Sequence, residues 1–145
     1  MAVEGHAHEA LSLFEQAWAC RQDDYDACIA AHFLARHQLD APETLRWNRL
    51  AIQHAERTDS ERVASFMASL YLNLADSEAG SGHHADAIEA LSAARTHLDA
   101  VPAGGYRDFV AFGIDRLEHT LMERLRSSIL ERPQTDHLDS PSRPR

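Results

Sequence analysis

From residue 10 to residue 125 the apolar residues of this chain recur at intervals of three and four, and in no stretch do they alternate. The first pattern belongs to amphipathic helices and the second to half-buried strands, so the chain is expected to be helical throughout. Six stripes can be traced. Residues 9–20, EALSLFEQAWAC, carry Ala10, Leu13 or Phe14, Ala17 and Cys20. The second stripe is Cys28, Ala31, Leu34 and Ala35, and the third is Leu45, Asn48, Ala51, Ile52 and Ala55. The fourth runs through Val63, Phe66, Met67, Leu70, Leu74 and Ala75, and the fifth through Ala87, Ile88, Leu91, Ala94 and Leu98. The sixth, over about 106–131, is Val110, Ile114, Leu117, Leu121 and Leu125.

Local signals punctuate these stripes. Asp23, Asp24 or Asp26 can cap the second helix, and Thr58, Asp59 or Ser60 the fourth, because a short oxygen side chain satisfies first-turn N–H groups. Pro42 ends the second helix and is tolerated in the first turn of the third. Gly80-Ser81-Gly82 ends the fourth, and Val101-Pro102-Ala103-Gly104-Gly105 breaks the chain before the sixth. The fold class is therefore all-α, with about six helices, short turns and antiparallel neighbours. One domain over residues 1–131 is expected. From Arg132 the composition turns to Pro, Ser, Asp and Arg, so 132–145 is read as a disordered tail.

Charge removes several functions. The net charge is −9, and the three arginines and two aspartates from Arg132 onward leave −10 on residues 1–131. That excludes a sequence-independent nucleic-acid binder and adsorption to an anionic membrane. No apolar run reaches the 18 or so residues of a membrane helix, and MAVEGHAHEA lacks the regions of a signal peptide. A cytoplasmic protein is expected. Cys20 and Cys28 form neither a CxxC nor a disulfide framework and are read as small buried apolar groups.

Three segments align: EALSLFEQAWA from Glu9, ETLRWNRLAIQ from Glu43 and DAIEALSAART from Asp86. Each holds a first residue, a second four on and an alanine three later: Ala10/Phe14/Ala17, Thr44/Asn48/Ala51 and Ala87/Leu91/Ala94. Ahead of the third lie Tyr71, Leu74 and Ala75, then a glycine turn. These residues resemble the tetratricopeptide-repeat family, whose units pair two antiparallel helices through small and large residues at these spacings. Small residues at 75, 87 and 94 let helix backbones approach, and large ones at 71, 74 and 91 fill the layer between them. The resemblance runs over residues 7–101, best in 68–101. It departs at Asn48 and Glu78, where large apolar residues are usual, and in the spacing from Thr44 to Ala87, nine residues too long. Leu34-Ala35 fits the small-residue site if the following loop is three residues short. The resemblance implies a superhelix of helix-turn-helix repeats, closed by the long sixth helix, with a concave groove that binds a peptide or protein.

The same resemblance assigns groove positions: Ser69, Leu72, Asn73, Asp76 and Ala79 on helix four, and Ile29, His32, Phe33 and Arg36 on helix two. The Asn73 amide both donates and accepts, which suits a bound backbone. Arg36 and His32 can hold a carboxylate. Ser69 and Asp76 complete the expected site, although the full basic set of the family's carboxylate-clamp members is absent.

Catalysis and metal binding find little support. The ten histidines include His83-His84 in the glycine turn and His6-x-His8 near a frayed end, and no two fall at i, i+4 on a helix. They are read as solvated or capping groups, with no metal and no cofactor. Ser81, His83 and Asp76 are close in sequence, but a mobile turn cannot hold an oriented base, and the glycine pairs lack a phosphate loop's lysine. DDYD at 23–26 lacks the glycine and distal glutamate of a calcium loop. Trp18 and Trp47 flank the stripes and are read as partly buried. MERLRSSIL in helix six either folds back or pairs with a second copy through Leu121, Leu125 and Ile129. The expectation is a non-catalytic adaptor for a protein or peptide partner. The alternatives are a structural homo-oligomer, such as a homodimer, with helix six as its interface, and a histidine-dependent metal binder.

Overall fold

The computed structural model describes residues 2–132. The tail expected beyond Arg132 lies outside the described residues. Seven α-helices and no strand are present among the described residues. They are α1 (Ala2–Ala19), α2 (Asp24–Arg36), α3 (Ala41–Arg57), α4 (Ser60–Val63), α5 (Met67–Gly80), α6 (His84–His97) and α7 (Gly105–Leu130), with a 3₁₀ turn at Leu98–Ala100. The fold is all-α.

The caps follow the local chemistry. Asp23 is extended, and its side chain accepts the Asp26 N–H at 2.8 Å. Asp59 caps α4 by accepting from the Glu61 N–H. α5 ends in a bond pair that needs a left-handed residue: His83 N–H to Glu78 O at 2.9 Å and Gly82 N–H to Ala79 O at 3.1 Å. Gly82 supplies that residue, with φ of 79°.

α2 pairs with α3 and α5 with α6, while α3 packs against α5, α7 lies across α5 and α6, and α1 rests on α2. Two cores result. The first gathers Cys28, Ala31, Leu34, Ala35, Trp47, Ala51, Ile52, Val63, Met67 and Leu70. The second gathers Ala75, Ala87, Leu91, Ala94, Val110, Ile114, Leu117 and Leu121. Tyr71 and Leu74 pack against both. Ala75, Ala87 and Ala94 are fully buried at the α5–α6 contact, where a larger side chain would hold the backbones apart. Gly113 does the same for α7: a Cβ there would lie 2.8 Å from Leu72 Cδ2.

Several expectations need correction. The fourth helix is broken at 64–66, where Phe66 adopts φ −124° and ψ 1°. The break sends Val63 into the first core and sets the Phe66 ring edge-on to Tyr25 at 6.2 Å. α1 begins at Ala2 rather than near Glu9, so His6 and His8 are helical. It packs Leu11, Phe14 and Trp18, each partly buried, against the first core, while Ala17, Cys20 and Leu13 are exposed and Ala10 is half-buried outside that cluster. α1 lies at the edge of the fold, chiefly on α2, with no need for a close two-sided approach, so the stripe with more apolar area turns inward. Phe14 stacks on Phe33 at 4.8 Å, and Trp18 meets Trp47 edge-on at 5.0 Å. On α6 the inward stripe is Ala87, Ala90, Leu91 and Ala94, leaving Ile88 exposed. Leu121, expected at an oligomer interface, is buried in the second core; Leu125 is half-buried and Ile129 exposed.

Candidate functional site

Two clefts sharing Asn73 and Asp76 form one groove over α2, α5 and α7. The smaller, about 250 Å³, lies among Ala35, Arg36, Thr44, Asn48 and α5. The larger, about 660 Å³, lies between α5 and α7. Leu72, Asn73, Asp76 and Ala79 line it from α5, and Phe109, Phe112, Gly113, Arg116, Thr120 and Arg124 from α7. The missing Cβ of Gly113 sets the closeness of its two walls.

Arg36, Asn73 and Asp76 thus lie along one groove. The Asn73 carboxamide makes no hydrogen bond to the described residues, and its backbone carbonyl accepts from Ser77 Oγ at 3.0 Å and from Asn48 Nδ2 at 3.4 Å. Asn48, buried between the helices, also donates to Ser77 Oγ, which makes a polar α3–α5 contact. Ser69, one turn before Asn73, spends its hydroxyl on the Phe66 carbonyl at 3.1 Å. His32, one turn before Arg36, is half-buried, and its Nδ1 is buried with no partner. Burial, and secondarily the Arg36 charge, hold its imidazole below its ordinary value of 6.5. At neutral pH it is uncharged and does not act as the second cation of a carboxylate site. Ile29 and Phe33 face α1 instead of the groove.

The α7 wall was not anticipated. Phe109 is 74% and Phe112 67% exposed, a large apolar pair at i, i+3 standing off the buried stripe of α7. That offset was legible: a core-facing helix has no packing use for aromatic side chains away from its stripe.

A second constellation lies on the other side of α5. Glu78 is 4% exposed and still carries two partners. Arg49 donates through Nε to Oε1 at 2.8 Å and through Nη2 to Oε2 at 3.1 Å. His83 Nδ1 donates to Oε2 at 2.7 Å. His83 is therefore a structural partner of a buried carboxylate, which corrects its reading as a merely solvated or capping group. Asp86 brings a third ligand atom, all within 4.8 Å of one another. A cation there would stand beside the Arg49 guanidinium and at the positive N-terminus of α6, both of which oppose it. The geometry favours an ion-pair lock between α3, α5 and the α5–α6 turn. Asp24 makes a similar tie, accepting from His54 Nδ1 at 2.8 Å.

No family model, curated protein or solved structure matches the chain. Among the described residues no helix is long and apolar enough to cross a membrane.

Proposed function

We propose that this chain is a non-catalytic helical-repeat module of tetratricopeptide type that binds a protein or peptide segment in the α2–α5–α7 groove, in the cytoplasm. One observation carries the reading. Phe109 and Phe112 stand exposed beside a 660 Å³ cleft whose other wall offers the uncommitted Asn73 amide and Asp76. Exposed aromatic side chains beside a preformed cleft are the anchors that interfaces use. The groove supplies hydroxyls such as Thr120 but no imidazole or thiol among its lining residues, which supports binding over catalysis. The exposed free thiol of Cys20 fits a reducing compartment.

The test is affinity capture from native lysate with wild type and a Phe109→Ala/Phe112→Ala variant of matched circular dichroism. Each captured protein is then made recombinantly and titrated by calorimetry. Direct binding weakened at least ten-fold in the variant supports the groove. Equal binding to both proteins refutes it. The second reading is self-association through the end of α7, favoured by exposed Met122, Ile129 and Leu130. Sedimentation showing a monomer across the micromolar range removes it.

A further inference from the structure

The charges lining the two sides of α5 are sorted. The α3–α6 side holds Glu56, Glu78, Asp86 and Glu89 against Arg49. The groove side holds Arg36, Arg116 and Arg124 against Asp76 alone. A chain of net charge −9 thus concentrates an excess of two positive charges in its groove. These arginines are also uncommitted. Arg46, Arg49, Arg62, Arg95 and Arg107 each pair with a carboxylate, whereas Arg36, Arg116 and Arg124 pair with none among the described residues. Arg124 makes one contact, Nη1 to the Ala79 carbonyl at 3.4 Å, which leaves the rest of its fork free.

Among the α7 residues that line the groove, Phe109, Phe112, Arg116, Thr120 and Arg124 fall at intervals of three and four. They form one strip of roughly 22 Å at ~1.5 Å per residue. The strip is polar lengthwise, aromatic at its N-terminal end and cationic towards its C-terminal end. About six or seven extended residues span that length at ~3.3 Å each. Guanidinium forks select carboxylates, and a cleft with low-dielectric walls strengthens the selection.

We infer that the groove's ligand is an acidic segment of another protein, about seven residues long. It seats a large apolar side chain between Phe109 and Phe112 and its carboxylates on Arg116 and Arg124. This rests on the groove reading above, and it draws on α7, which lies beyond residues 7–101 where the repeat resemblance runs.

The experiment is selection of a random dodecapeptide phage library on the full-length protein, with synthesis of the enriched peptides. These are titrated into wild type, an Arg116→Glu variant and the Phe109→Ala/Phe112→Ala variant. Arg116 is exposed and unpaired, so its reversal leaves the fold intact; circular dichroism checks this. The expected result is enrichment of Asp and Glu next to Phe, Leu or Trp. Binding is then at least ten-fold weaker in Arg116→Glu and falls as salt rises. Enriched peptides that are neutral or basic, lost in the phenylalanine variant but indifferent to Arg116→Glu, overturn the acidic ligand and keep the groove. No enrichment, or binding untouched by either variant, overturns the groove itself. A synthetic peptide of residues 133–145 competing as strongly as the selected ones makes the occupant this chain's own end and overturns the partner.

Discussion

The lock on Glu78 predicts an asymmetry between its two partners. Glu78 is buried and Arg49 is half exposed, with side-chain exposures of 5% and 48%. Replacing Arg49 with Met removes two charge-assisted hydrogen bonds and leaves a carboxylate buried beside His83 alone. Each such bond contributes roughly 1.5–3 kcal/mol. Solvent already screens the half-exposed guanidinium and His83 remains, so the net loss is about 2 kcal/mol. Glu78→Met removes the buried charge, inserts an apolar side chain into a buried site, and frees Arg49 into water. Such a replacement costs or gains about 1 kcal/mol or less. The double variant should match Glu78→Met, since Arg49 has nothing left to neutralise. The assay is urea unfolding with the slope held constant across variants, so that midpoints report stability alone. In thermal terms the Arg49→Met loss is roughly 6–10 °C for a domain of this size. Equal losses in the two single variants, or losses that add in the double, refute an internal charge held by an external partner.

Two further outcomes follow from burial. Cys20 is exposed, while burial pushes the Cys28 thiol up to about 11, so iodoacetamide at pH 8 should label one cysteine quickly and the other only after denaturation; two fast labels would overturn the core assignment. His32 binds a proton less readily folded than unfolded. Its contribution is therefore fully present above about pH 6.5 and is lost as pH falls below that value. The thermal midpoint of wild type should drop more between pH 7.5 and 5.5 than that of His32→Phe, which also removes the unpartnered Nδ1, and identical drops would place the sensitivity elsewhere.

The helical class was legible because periodicity depends only on which residues are apolar, and Ala75, Ala87 and Ala94 fall where close approach requires them. The α1 face was misread because alignment of small residues outweighed area: Leu11 and Trp18 bury more than Ala10 and Ala17. The break at Phe66 left no mark in the sequence, since its residues continue one stripe and contain neither proline nor glycine. Arg36, Asn73 and Asp76 were placed through the resemblance, which stops short of α7, so the Phe109, Phe112 and Arg116 wall lay outside its reach. Glu78 looked like an anomaly because its partner Arg49 is 29 residues away, a pairing that only the α3–α5 contact creates.

Tyr71 and Leu74 are the side chains packed against both cores, three residues apart on one helix. The first core also takes in Met67 and Leu70 of the same helix, so α5 is the element through which the N-terminal hairpin meets α6 and α7. Where helices stack on their neighbours, the cooperativity of unfolding is set by the strength of the contacts between them. Tyr71 ties both neighbours of α5 to it, stacking on His97 of α6 at 5.4 Å and donating its hydroxyl to Glu56 of α3 at 3.0 Å. A groove spanning α2, α5 and α7 therefore depends in part on side chains on the far side of its middle helix, which hold α3 and α6 against it.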